Sequence, residues 1–172
     1  MHLVLAALVG CLLWPWAALA DCTDPPRPRV DWRRCTLHKA ELPGADLSRA
    51  LLRDGRFTRA NFAGANLREM DGRGAKFIAA TMRGVKLDGA RLSGADFTSA
   101  DLSGASLRQA VLHRAQLPGA NLRGADLTEA DLEEANLAGA DLSAARWIDG
   151  RSLCAEGSIG QCHIAPGKEP QG

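Results

Sequence analysis

With 172 residues, a net charge of +1 and no Tyr, the chain has the length of one domain and lacks the basic excess and free aromatic rings of a nucleic-acid binder. HExxH, GxSxG and phosphate-loop patterns are absent, and His38, His113 and His163 have no partners at metal-ligand or catalytic spacing, so neither a catalytic residue, a metal nor a cofactor is expected. Residues 1–20, MHLVLAALVGCLLWPWAALA, are apolar, contain no Lys or Arg, and end in Ala18-Leu19-Ala20 before Asp21. They read as a secretory signal peptide cleaved after Ala20, too short and too Pro-broken for a transmembrane helix. Leu8-Val9-Gly10-Cys11 also resembles a bacterial lipobox that would lipidate Cys11, but it lies so early that little hydrophobic region precedes it. The expected mature chain starts at Asp21, has no transmembrane segment, and resides in the periplasm or outside the cell.

Residues 30–149 repeat a five-residue pattern without a break in register. It is plainest in Ala120-Asn-Leu-Arg-Gly, Ala125-Asp-Leu-Thr-Glu and Ala130-Asp-Leu-Glu-Glu. With the large apolar residue called i, the i positions run from Trp32 to Trp147 in 24 pentads, all Leu, Phe, Met or Trp except Gly72. Ala fills i−2 in 19 of them. A period of five scatters Leu around an α-helix and sends alternate Leu to opposite faces of a straight strand. It is coherent only if the chain turns once per pentad and points i and i−2 inward, as in a stacked solenoid. Small i−2 residues keep so narrow a bore from overpacking. At the exception, i shrinks to Gly72 while i−2 grows to Met70, a local exchange of volume. Position i−1 is Asp or Asn in half the pentads, as at Asp46, Asn61, Asp96 and Asp126. Short Asx side chains at turns bind neighbouring backbone, so these carboxylates are read as structural.

This stretch resembles the pentapeptide-repeat proteins, whose A(D/N)LXX consensus it follows over about 120 of the 172 residues. The resemblance implies an all-β fold, a right-handed quadrilateral β-helix with twenty residues per coil, hence about six coils and a rod about 29 Å long at strand spacing. Phe57, Phe77 and Phe97 lie twenty apart and would stack in one inner column; Gly44, Gly64, Gly84, Gly104 and Gly124 share the same step.

The expected mature chain holds Cys22, Cys35, Cys154 and Cys162, and export makes disulfides the natural reading. Two of the three pairings would join opposite ends of the rod, too far for the Cα separation of about 7 Å that a disulfide tolerates. Cys22–Cys35 and Cys154–Cys162 remain, and with no CxxC spacing zinc and thioredoxin-type chemistry are poor readings. Residues 21–36 form a stapled N-terminal cap with Trp32 as plug. Trp147 closes the last coil and residues 150–162 form a stapled C-terminal cap, both needed because a solenoid exposes strand edges at its ends. Residues 163–172 read as a flexible polar tail.

Charge is uneven. Residues 27–95 carry 15 Lys or Arg against 7 Asp or Glu, and residues 96–149 carry 4 against 9, so the rod is basic in its first half and acidic in its second. The twenty-residue register gathers Arg53, Arg56, Arg59, Arg73 and Lys76 near one edge, a candidate contact for a protein or an anionic envelope component. The leading expectation is a non-catalytic exported scaffold or protein-interaction module of the bacterial envelope. The resemblance supplies an alternative, since some pentapeptide-repeat proteins are DNA mimics that bind DNA gyrase. Those are cytoplasmic, acidic and dimerise through a C-terminal helical module; this chain has an export signal, near-neutral charge and a cysteine loop instead. A self-assembling structural rod, held by its opposite charges, is a further alternative.

Overall fold

The computed structural model describes residues 22–165. The leader and Cys11 expectations lie outside these residues, as does the tail expectation for 166–172. Residues 31–150 form six coils of a right-handed, four-sided β-helix with no α-helix. The first coil spans 31–50 and the last 131–150. Each i−1 residue pairs in parallel with the residue twenty later, from Asp31 with Leu51 to Asp126 with Arg146, so the register never slips. Face one carries Trp32, Leu52, Gly72, Leu92, Leu112 and Leu132; face two begins at Leu37, face three at Leu42 and face four at Leu47.

The pentad works because it satisfies its own backbone. In the pentad of Phe62, Asn61 N donates back to Ala40 O at 2.9 Å. Phe62 N and Gly64 N donate forward to Thr81 O and Arg83 O at 2.7 and 2.8 Å. Ala65 N closes the corner on Phe62 O at 2.9 Å, and the remaining Ala63 N is taken by Asn61 Oδ1 at 3.1 Å. All five N–H groups are thus used, three of them along the rod axis. The corner is a β-turn whose i+2 residue has positive φ, as in type II turns. Every i+2 residue from Arg34 to Ala144 has φ between 53° and 67°. Gly44, Gly64, Gly84, Gly104 and Gly124 occupy this slot on face three, which explains their twenty-residue spacing.

Inside, the i and i−2 side chains form an apolar column, with Leu47, Leu52, Leu67, Leu87 and Leu102 at 0% exposure. Phe57, Phe77 and Phe97 stack as the register requires, at centroid distances of 5.3 and 5.1 Å and interplanar angles of 14° and 9°. Phe62 meets Phe57 and Phe77 edge-on, both at 5.8 Å. Each such side chain contributes roughly 1.5–3 kcal/mol of burial before conformational entropy is subtracted.

Both disulfides are present, Cys22–Cys35 and Cys154–Cys162. At the N-terminal end Trp32 is 2% exposed, and its Nε1 donates to Asp24 O at 3.2 Å across the stapled loop. The coil geometry starts slightly before residue 30, since Arg29 N already donates to Ser48 O at 2.8 Å. At the C-terminal end the chain turns at Asp149–Gly150 and returns antiparallel on the last coil, Leu153 opposite Arg146 and Ile159 opposite Asp141. Leu142 N, Ala144 N and Trp147 N donate to Ser158 O, Cys154 O and Ser152 O at 2.8, 2.9 and 2.8 Å, so faces three and four are sealed. Faces one and two are not: Leu132, Ala135 and Leu137 stay half-buried, and Trp147 is also only half-buried. The tail boundary at 163 is corrected. Cys154 pairs antiparallel with Ile164, Ala155 N donates to His163 O at 2.7 Å, and Ala165 N donates to Leu153 O at 2.9 Å. The cap therefore runs to Ala165, because these residues supply the outer strand of its small ladder.

Candidate interaction face

The outward side chains decide what the rod offers a partner. All twelve Asx residues at i−1 accept a hydrogen bond from the backbone N–H two residues later, from Asp31 and Asp46 to Asn136 and Asp141. The carboxyls of Asp31, Asp46, Asp71, Asp101, Asp126 and Asp141 are held below the usual aspartate range. For Asp71 the main cause is the Arg73 guanidinium, and for Asp46 and Asp141 it is the hydrogen bonds from Ser48 and Ser143. These carboxylates are tied down as turn acceptors, and none stands as a paired acid and base.

Several of the remaining polar side chains bond across coils. Arg49 binds Glu69 at 2.9 Å, Arg68 binds Asp88 at 2.8 Å, and Arg114 binds Glu134 at 2.7 Å, each reaching exactly one coil. Arg123 bridges out to Glu156 of the cap at 3.0 Å. His113 Nδ1 lies 3.7 Å from Glu133, and the described residues contain no group of three His, Cys, Asp or Glu side chains suited to a metal. Two shallow hollows share Arg49 and Glu69 along the corner between faces four and one.

The five cations singled out from the sequence do come together, at the corner between faces one and two and across face two. Arg56 pairs through its backbone with Lys76, and Arg53 and Arg73 stand one coil apart beside them. Arg73 is not free: Nη2 binds Asp71 at 2.7 Å. Arg53, Arg56, Arg59 and Lys76 are exposed and make no ion pair among the described residues. Sequence reasoning missed Lys39, which stands one coil below Arg59 in the same corner column and is likewise unpaired. The spacing of twenty was the available signal. It also missed the apolar surface of the C-terminal cap, where Ile148, Leu153, Ile159 and Ile164 are the exposed large hydrophobic residues. That loop carries no pentad pattern from which burial could be read.

Among the described residues no helix is long and apolar enough to cross a membrane. A search of curated protein sequences finds no significant match. Solved structures that resemble this one include a pentapeptide repeat protein from the thylakoid lumen of Arabidopsis thaliana, 27% identical, covering 72% of this chain and 83% of that one with a TM-score of 0.39. Another, from the cyanobacterium Cyanothece 51142, is 27% identical over 62% of this chain and 82% of its own, with a TM-score of 0.37. A trypsin-treated form of QnrB1, a plasmid-mediated fluoroquinolone resistance protein, is 24% identical over 64% of this chain and 61% of its own, with a TM-score of 0.32. The profile described as pentapeptide repeats matches in eight copies, over residues 28–54, 56–94, 90–128 and 115–146. On that match, and on the unbroken coil register beneath it, the chain belongs to the pentapeptide-repeat family.

Proposed function

We infer that the protein is a non-catalytic interaction module exported to the bacterial envelope, periplasmic or secreted, presenting a rigid rod to a partner. The observation that carries this reading is the pair of disulfides, one stapling each end. Disulfides persist in oxidising compartments and are rare where thiols are kept reduced. The aspartates at i−1 support the non-catalytic part, because they are consumed as turn acceptors.

An intact mass of the protein made in its own cells, taken before and after reduction, tests the reading. A species beginning at Asp21 that gains four hydrogens on reduction is expected. An unprocessed chain with free thiols would overturn export and return attention to a cytoplasmic, gyrase-binding role, which inhibition of supercoiling by the purified protein would then examine.

A further inference from the structure

The register that places residue i beneath residue i+20 makes every outward column a test of compatibility between neighbouring coils. Over most of the rod the columns answer one another: Arg49 with Glu69, Arg68 with Asp88, Gln109 with Glu129, Arg114 with Glu134, Asn136 with Gln116. Five stacks instead place cation on cation: Arg29 under Arg49, where Arg49 binds Glu69, then Arg33 under Arg53, Arg53 under Arg73, Arg56 under Lys76, and Lys39 under Arg59. The last four lie in the first three coils, on face two and its two corners, and the first lies at the corner between faces four and one. An anionic counterpart, Glu129 under Asp149, sits where Asp149 already accepts from Arg151 N and Ser152 N. Like charges directly opposed on neighbouring strands are destabilising. Face two of the first three coils is thus the surface that the fold leaves electrostatically unsatisfied.

Ion pairs relieve only part of it. Asp31 and Asp71 bind Arg33 and Arg73 at 2.6 and 2.7 Å. Lys39, Arg53, Arg56, Arg59 and Lys76 have no such partner among the described residues, and all five are exposed. They fall within two coil steps, about 10 Å and so about one Debye length at 0.1 M salt, and act on a partner together.

Shape narrows the partner. The two hollows centred on Arg49 and Glu69 lie on another corner, away from this panel. Trp32, Phe57 and Phe77 are buried, and the exposed imidazole of His38 stands alone at the panel's edge, which does not make a platform for successive bases. Between the cations stand Thr36, Thr58 and a half-buried Ile78, which do not make the aromatic, pocket-filling centre of a protein interface. The panel offers charge, flatness and little else. We propose that face two of the first three coils is a contact surface for anionic phospholipid headgroups, laying the basic half of the rod on a membrane and directing the acidic half away. This rests on the export reading, which brings the rod to the envelope's lipid surfaces. Phosphate-bearing bilayers attract clustered Lys and Arg without needing shape.

The test is co-sedimentation of processed, oxidised protein with vesicles of phosphatidylcholine alone or mixed with phosphatidylglycerol, at low and high salt. Binding is expected only with phosphatidylglycerol, and to fade as salt rises. Each surface cation is worth about fivefold, so R53Q/R56Q/K76Q is expected to bind about a hundredfold more weakly. R83Q/R108Q/R114Q removes the same net charge from cations already paired with Asp101, Asp126 and Glu134, and is expected to bind within about twofold of the parent. The panel variant is also expected to melt no lower than the parent, since it dismantles like-charge stacks. Equal binding to both vesicle types, or equal loss in both variants, overturns the proposal. So does capture of an acidic envelope protein through this panel by a chain with no affinity for phosphatidylglycerol. A processed, oxidised protein that ignores vesicles defeats the membrane contact alone and leaves the export reading standing.

Discussion

A single glycine tests the packing of the bore. At Gly72 an added Cβ would lie 2.8 Å from Met70 Sδ, 2.9 Å from Met70 Cε and 3.1 Å from Leu92 Cδ2. Met70 therefore fills the space that a large i residue holds elsewhere, as its flexible thioether permits. Gly72→Leu alone is expected to overpack the site and cost about 1–3 kcal/mol, while Met70→Ala alone leaves a cavity worth about 2–5 kcal/mol. Together they restore the common pentad, so the double variant is expected to be more stable than either single one. Thermal melts of the four proteins measure the coupling, and simple additivity would show that the two side chains do not share one volume. That exchange was legible because it breaks an otherwise regular column. Gly55 was not, although a Cβ there would meet Phe57 Cε2 at 2.6 Å. Phe77 and Phe97 stand beside Ala75 and Ala95, so at Gly55 it is the local approach of the Phe57 ring, with Leu52 O at 3.0 Å, that leaves no room for a Cβ.

At the scale of one turn, the pentad combines a backbone cost with a side-chain remedy. Residues such as Arg49, Glu69, Gln109 and Glu134 adopt positive φ without being glycine, at about 1 kcal/mol each. Where Asx stands at i−1 and a coil lies beyond, as in the pentads of Arg49 and Glu69, the inter-coil ladder and the Asx acceptor offset this by leaving no N–H of the turn unpaired. The Asx role could be read from composition, since short acceptors favour turns; the positive φ could be read only where glycine marked it. Aspartate and asparagine differ here in acid. The pKa values of Asp46, Asp71 and Asp141 are lowered in the folded chain, so the unfolded chain binds more protons as the pH falls through the carboxylate range. Their contribution is complete above the ordinary aspartate pKa and is lost below it. The melting temperature is therefore expected to hold steady through neutral pH and to drop below about pH 4. Asp46→Asn with Asp141→Asn keeps both turn acceptors and is expected to flatten that drop. An unchanged acid limb would show that other carboxylates control it.

Across the whole molecule, height along the rod equals position in the sequence, and this is why the charge gradient and the two local disulfides were legible at once. The reach of the caps was not legible, because residues 150–165 leave the repeat and nothing in their order says which faces they cover. The answer has consequences for unfolding. A solenoid's stability is close to a sum over coils and their interfaces, so damage at one end need not travel. Cys22–Cys35 and Cys154–Cys162 close loops of 13 and 8 residues of separation. Loops of this size constrain the unfolded chain by about 2–3 kcal/mol each, and that restraint acts on the ends. Reduction is expected to release the amides of Leu142, Ala144 and Trp147, which depend on the C-terminal cap, to fast hydrogen exchange. Amides between Phe57 and Leu117, held by coils on both sides, are expected to keep their protection. Faces one and two of the last coil should change least within that coil, because the cap never covered Leu132 or Leu137. If reduction exposes the central amides together with the terminal ones, the rod is a single cooperative unit whose caps set its stability, and the bore is not self-sufficient.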